Sequence, residues 1–334
     1  MKKKTMFAYL RNAVLVVALY VVLSLLMSAG VIDRYYSGIL TMMFINIIMA
    51  VSLNLTTGYL GQLVLGHAGF MSVGAFSAAI FTTTVDLPAA VSFPLALLIA
   101  GVVSAVVGIV IGIPALHLRG DYLAIITLGF GEIIRVIFLN LDITGGALGM
   151  RGIPNLTTFA WVFFAAVITI FIVTTFVKSR HGRAVIAIRE DEIAVEASGI
   201  NTTYYKMMAF VLAAAIAGVA GGLYAHHIGV INPTKFDFNY SIEFLVMVVL
   251  GGMGSTTGSI LAAIVLTILP EALRGFSDYR MLLYSVVLIV MMLFKPNGLL
   301  GRYEFSLTRV IDRIRRKGKG GGEKTEAQPA KEEV

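Results

Sequence analysis

An all-α polytopic membrane protein is the fold class this sequence predicts, and three observations carry the prediction. Only 13% of the residues are charged and 58% are hydrophobic, whereas an ordinary globular domain is about 25% charged. A soluble domain has no interior large enough for so much apolar side chain. Several apolar runs exceed the ~18 residues that allow a helix to cross a bilayer. No stretch shows the segments of about 10 alternating residues that mark a membrane barrel. The expectation is about eight crossing helices plus a possible re-entrant helical hairpin, with cytoplasmic N- and C-termini.

The first span is the apolar run Asn12 to Ala29, behind the basic start Lys2 to Lys4. It is too long for the apolar core of a signal peptide and reads as an uncleaved span. Asp33 and Arg34 mark a short outer loop, and Gly38 to Leu55 forms the second span. Next comes a segment rich in glycine (Gly58, Gly61, Gly66, Gly69, Gly74) that also holds Asn54, Thr56, Thr57, Gln62 and His67 but no charged residue. Irregular backbone at membrane depth survives only where protein buries it or where it lines a wet cavity. The third span continues to about Thr83.

Pro88 to Ala115 is the fourth span, with Gly101, Gly108 and Gly112 on one stripe suited to close helix packing. Asp121 is placed to cap the fifth span, Tyr122 to Leu139. That span carries Glu132 and Arg135 three residues apart, on one face. They read either as a polar lining or as a structural ion pair. A polar loop to Phe159 precedes the sixth span, Ala160 to Val177. The seventh is Tyr204 to Ala225, with Gly218 and Gly222 at another small-residue spacing.

Between the sixth and seventh spans lies a polar island, Lys178 to Lys206, reading KSRHGRAVIAIREDEIAVEASGINTTYYK. Glu190, Asp191 and Glu192 suit the first turn of a helix, where the dipole favours acids. Gly199 suits the left-handed position after its end. Ile193, Ala194 and Ala197 would form a small apolar stripe. Glu192 and Glu196 repel at a four-residue spacing unless a basic partner groove receives them. The plain alternative is a solvated loop.

The apolar region Ser241 to Pro270 is broken by GGMGSTTGS, 251–259, into halves of about ten residues. It is either one long kinked span or a re-entrant hairpin. Tyr279 to Phe294 is the last span, before a basic tail. Cytoplasmic termini require an even number of crossings, and seven spans, a non-crossing hairpin and a final span satisfy this. On that layout the inner segments hold 18 of the 26 lysines and arginines and the outer segments five, the asymmetry that topology demands.

Several chemistries are excluded. With no cysteine there is no disulfide or thiolate site. The five histidines show no metal-binding spacing, the carboxylates and serines no catalytic grouping, and no phosphate-cradling G-K-[ST] loop occurs. The net charge of +7 follows membrane edges and does not indicate nucleic-acid binding.

The stretch NLTTGYLGQLVLGHAGFMSVGAF (54–76) resembles the signature of branched-chain amino acid ABC importer permeases, closest to the M-type subunit. REDEIAVEASG (189–199) with Tyr205-Lys206 is similar to that family's coupling segment. GGMG (251–254), Gly258 and the ending KPNGLLG (295–301) match as well. The island departs from the family's E-A-A-x-x-x-G form, because Gly199 stands only two residues after Ala197. The expected layout is a permease domain over 1–301, with the coupling segment at 178–206, and a cytoplasmic tail at 302–334 that is basic and then, from Gly318 on, disordered by its Gly-, Lys- and Glu-rich composition. The resemblance implies a heterodimer with a second permease, two cytoplasmic ATPases, an extracytoplasmic substrate-binding protein and a bacterial inner-membrane location. This chain would bind no cofactor, ATP being used by its partners. Arg189, Glu190, Glu192, Glu196 and Gly199 would contact the ATPase. Asn54, Thr57, Gln62, His67, Glu132 and Arg135 would line the path. Rival readings are an importer of amides, urea or a sugar, an ion-coupled transporter acting alone, and a membrane scaffold.

Overall fold

The computed structural model describes residues 2–118, 120–295, 298–299 and 301. Its α-helices are α1 (Lys2–Ser28), α2 (Arg34–Asn54), α3 (His67–Thr84), α4 (Ala89–Ala115), α5 (Asp121–Asn140) and α6 (Phe159–Lys178). Then follow α7 (Arg180–Glu190), α8 (Glu192–Ala197), α9 (Thr202–Ile228), α10 (Phe238–Gly251), α11 (Thr256–Ala272) and α12 (Arg280–Phe294). Every predicted span coincides with one of these helices. The predicted tail, 302–334, lies outside the described residues. Among the described residues, six helical stretches are long and apolar enough to cross a membrane: Arg34–Tyr59, Ala89–Ala115, Asp121–Asn140, Phe159–Lys178, Thr202–Ile228 and Thr256–Gly275.

The centre of the bundle is α3, α4 and α9, packed backbone to backbone. Apolar side chains gain nothing by leaving lipid, so close van der Waals contact between small residues has to hold such helices together. The predicted glycine stripe of α4 does this: Gly101 meets Val219, Gly108 meets Ala214 and Gly112 meets Met207, all on α9. Gly218 of α9 is wedged between Gly74 of α3 and the Ala100 and Ser104 positions of α4, and Gly221 lies against the Met71 carbonyl of α3. Helix α2 is fully enclosed along its second half, from Ile47 to Leu60.

Two local expectations are corrected. Asp121 does not cap α5. It is the first helical residue, Gly120 occupies the cap position, and there is no side-chain cap hydrogen bond. The acids Glu190, Asp191 and Glu192 do not share one first turn. Glu190 ends α7, Asp191 is the junction, and Glu192 begins α8. The reason is local: Asp191 adopts an extended backbone, and its Oδ1 accepts hydrogen bonds from the Ile193 and Ala194 amides, both at 3.0 Å. A capping aspartate restarts the helix there. Gly199 does take the left-handed conformation, at φ +81°.

The interruption at 251–259 separates two helices that pack on one another, with arms of 14 and 17 residues in place of the expected ten or so. Contacts with α2 show the direction of the second arm. Thr256 meets the Tyr59 hydroxyl at 2.7 Å, Asn46 donates to Thr267 at 2.9 Å, and Arg274 lies over the Tyr35 ring. Hence α11 runs antiparallel to α2 along nearly its whole length. The turn between the arms, at Gly252 and Gly254, has left-handed φ values of 106° and 84°. It lies beside Asn54 and Gly58, at the island end of α2. Leu299 closes this turn from below, its amide donating to the Leu250 carbonyl at 2.7 Å.

The packing makes Gly221 irreplaceable. In Gly221→Val the new Cβ would overlap the Met71 carbonyl, a backbone atom that cannot swing aside. Thermal unfolding of the detergent-solubilised chain is expected to show a loss above the ~1–3 kcal/mol usual for overpacking. Gly129→Ala, where nothing lies within 4 Å of the new methyl, is expected to leave the transition in place.

Candidate functional site: where the polar island grips the end of α2

Helix α2 does not stop cleanly. After Asn54 the chain passes through a π-turn, Leu55–Tyr59, and then an irregular stretch, 60–66, before α3. A helix end leaves carbonyl oxygens without ladder partners, and in a dry interior each needs a donor. The Gly58 carbonyl receives one from the island. Arg189 Nη1 donates to it at 2.7 Å, across 131 residues of sequence. The same guanidinium reaches Glu190 Oε1 through Nη2 at 2.8 Å.

The approach works only because three glycines clear the way. At Gly61 (φ +77°) a Cβ would occupy the position of Arg189 Cγ, and at Gly254 it would press on Nη1. At Gly58 a Cβ would overlap Asn54 Oδ1 and the Gly254 amide nitrogen. That last pair is itself a hydrogen bond, the Gly254 N–H donating to Asn54 Oδ1 at 2.9 Å. One arginine, one asparagine and three glycines therefore join the island, the end of α2 and the hairpin turn at a single point.

A second tie anchors the island to α9. Lys206 Nζ meets Glu192 Oε2 at 2.7 Å, with only 3% of the lysine side chain exposed. Glu192 is thus neutralised within the chain, which offsets its repulsion with Glu196 without any partner groove. The expected apolar stripe of α8 is also rearranged. Val195 is the buried residue, while Ile193 is 69% exposed and Ala194, Glu196 and Ala197 face outward. The island therefore grips the bundle with one face and presents an apolar and acidic face to its surroundings.

The other predicted residues do not gather into one site. His67 is buried at the start of α3, and its Nε2 lies 2.7 Å from Ser52 Oγ of α2. The Ser52 hydroxyl proton is committed to the Met49 carbonyl at 2.9 Å, so His67 Nε2–H is the donor. Asn54 Nδ2, Thr57 Oγ1 and Gln62 Oε1 are buried atoms without a protein hydrogen-bond partner. Glu132 and Arg135 form their own pair on α5: Nε and Nη2 both contact Glu132 Oε2, at 2.7 and 2.6 Å, with about a quarter to a third of each side chain exposed. A cavity of about 460 Å³ opens at the far end of the bundle, between Thr82, Thr83 and Asp86 on one side and Pro154 and Leu156 on the other. None of the predicted path residues lines it. Among the described residues no three His, Asp or Glu side chains come together to hold a metal ion.

Sequence reasoning missed Lys206 as a site residue, although its pairing with Glu192 fixes α8. A lysine just inside an apolar helix, fourteen residues from a glutamate across a glycine-ended turn, is the signal that could have found it.

Comparison with known proteins identifies the family. A model of the family described as "Branched-chain amino acid transport system / permease component" matches residues 35–295. The chain is 38% identical over 310 residues to the high-affinity branched-chain amino acid transport system permease protein LivM of Salmonella typhimurium, covering 82% of this chain and 71% of that protein. The Escherichia coli LivM matches with the same identity and coverage. The Escherichia coli permease protein LivH is 35% identical over 149 residues, 43% of this chain and 48% of its own length. No solved structure gives a significant match.

Asn54→Leu tests the junction. It removes the acceptor of the partly buried Gly254 amide, a loss at the lower end of the ~1–3 kcal/mol of an orphaned buried donor. Thermal unfolding of the purified chain is expected to show a loss of that size, and Thr57→Val, which deletes an already unpartnered hydroxyl, a much smaller one.

Proposed function

This chain belongs to the family of branched-chain amino acid transport permease components, and on that premise we propose that it is the membrane-spanning subunit of an ATP-driven importer of branched-chain amino acids. One observation supports the coupling part of this reading above the rest. The island presents α8 outward and is bonded inward, through Arg189, to the main chain of α2 where that helix is already unwound. A rigid body fastened to a joint can pass on a displacement, and no nucleotide loop in this chain could generate one.

In this reading two cytoplasmic ATPases engage the exposed face of α8, with Ile193 and Glu196 outermost and Gly199 shaping the turn behind it. Arg189 and the Glu192–Lys206 pair carry the motion inward, with Glu190 holding the second nitrogen of the guanidinium. A second permease completes the pore, and a binding protein outside the bacterial inner membrane delivers substrate. This chain takes part in no catalysis and holds no cofactor. In this reading the eight predicted spans, α1 to α6, α9 and α12, give an even count of crossings, with both termini in the cytoplasm. The hairpin adds two arms, and its second arm, as deep as α2, keeps that parity.

The path is lined by the unpartnered polar atoms of Thr57 and Gln62 and by the partly exposed Glu132–Arg135 pair. Asn54 and His67 hold the walls that carry them. Weak, scattered polar contacts suit a conduit, because a substrate that binds tightly does not leave.

The test is Arg189→Met in the full complex reconstituted with its binding protein. Leucine uptake is expected to fall at least about tenfold, the effect of losing one charge-assisted hydrogen bond. The ATPase subunits should still copurify and hydrolyse ATP. Uptake at an unchanged rate removes Arg189 from the coupling route. Uptake by this chain alone, driven by an ion gradient, overturns the importer reading.

A further inference from the structure

Helix α10 carries a carboxylate that its apolar sequence conceals. Glu243 stands among Phe244, Leu245 and Val246, one turn into the first arm of the hairpin. It is exposed on the surface of the chain and makes no ion pair or hydrogen bond among the described residues. Successive helical residues turn by 100°, so Glu243 points away from Ser241, whose hydroxyl accepts from the Ala68 amide of α3. It therefore faces outward from the bundle, on the same edge as the exposed Asn239. A lone ionised group on a membrane helix is costly against lipid, and it faces a wet cavity or a charged counterpart.

A cation stands nearby. Lys235 precedes α10, and its ammonium lies 4.7 Å from the centre of the Tyr240 ring. Lys235 and Asp237 are both within electrostatic reach of Glu243. Asp237 is already committed: one oxygen accepts from the Tyr240 amide and the other from Asn239 Nδ2, both at 3.0 Å. Lys235 and Glu243 remain as opposite charges at one mouth of the hairpin, close enough to feel each other yet forming no ion pair. Beneath them the Tyr240 hydroxyl is buried without a hydrogen-bond partner, within electrostatic reach of Glu243. A pair of opposite charges near one another but not joined offers one partner to each end of a zwitterion.

We propose that Glu243 and Lys235 form an entry subsite for an α-amino acid, Glu243 receiving the ammonium group and Lys235 the carboxylate. The assignment rests on the importer reading and deepens it. It places the selective polar contacts on the first arm of the hairpin, not only on the glycine-rich segment after α2. It also explains why a helix of otherwise apolar residues keeps one acid on its exposed face.

The experiment compares the intact complex, reconstituted with saturating leucine-loaded binding protein, with Glu243→Gln, Glu243→Asp and Lys235→Met. Leucine uptake per ATP hydrolysed is expected to fall about tenfold in Glu243→Gln and Lys235→Met, one charge-assisted contact being lost in each. Glu243→Asp should keep most of it. ATP hydrolysis and copurification of the second permease should stay normal. Unchanged uptake in Glu243→Gln overturns the subsite. Loss of the second permease from the complex also overturns it, and marks Glu243 as an interface charge. A parallel fall of uptake and ATP hydrolysis overturns it in favour of coupling. Failure of the unaltered complex to take up leucine would instead strike the importer reading itself.

Discussion

A carbonyl oxygen left over at the end of a buried helix has to find a donor, and the donor chosen for Gly58 governs how this protein is put together. Arg189 comes from a charged segment 131 residues further along the chain. No small polar residue could span that gap from α7. The guanidinium supplies several donors in a fixed plane, and here one serves the Gly58 carbonyl and another Glu190. The requirement then spreads. Gly61 and Gly254 must be glycine to admit the arginine, and Gly58 must be glycine so that Asn54 can reach the Gly254 amide. What looks in sequence like two unrelated glycine-rich stretches is one joint with an arginine through it.

The ion pair between Glu192 and Lys206 has a different physical character. It is largely removed from water on the lysine side, and desolvation offsets much of the Coulombic attraction in such pairs. Its value lies in uniqueness of placement. A six-residue helix has too few turns to be stable alone. Helix α8 keeps its orientation because Asp191 caps its start, Val195 is buried against the bundle, and Lys206 holds its first side chain. Three weak devices at different points fix the exposed face better than one strong contact would.

Much of the fold was legible because the bilayer imposes strong rules. Span positions followed from hydropathy, the α4 glycine stripe from its spacing, and the island from its charge. The junction was not legible in the same way. Asn54 and Gly254 are 200 residues apart, and nothing local says that one carboxamide satisfies the other's amide. The island acids misled for a related reason. Three consecutive acids suit a helix start, yet only Asp191 had a side chain short enough to fold back on the next two amides, and it placed the break inside the run. Glu243 was hidden by averaging, and Lys206, though visible at the island's edge, showed no sign of its pairing with Glu192. One charge in a long apolar run scarcely changes its mean, although it changes the chemistry of the face it stands on.

The site's architecture also bears on how a push could travel. A side chain bonded to another side chain loses small displacements in rotamer adjustment. A side chain bonded to a carbonyl moves the main chain itself. Arg189 acts on α2 where the α-ladder has already been given up for a π-turn, so a shift there need not break a regular run of hydrogen bonds. Asn54 links the same place to the hairpin turn, and α11 carries that turn back along α2 towards Tyr35. On the proposed coupling reading, a displacement of the island would reach two antiparallel helices at their shared end. Helices fastened at one end and packed through side chains along the rest respond by tilting, which is the motion that opens one end of a channel while closing the other.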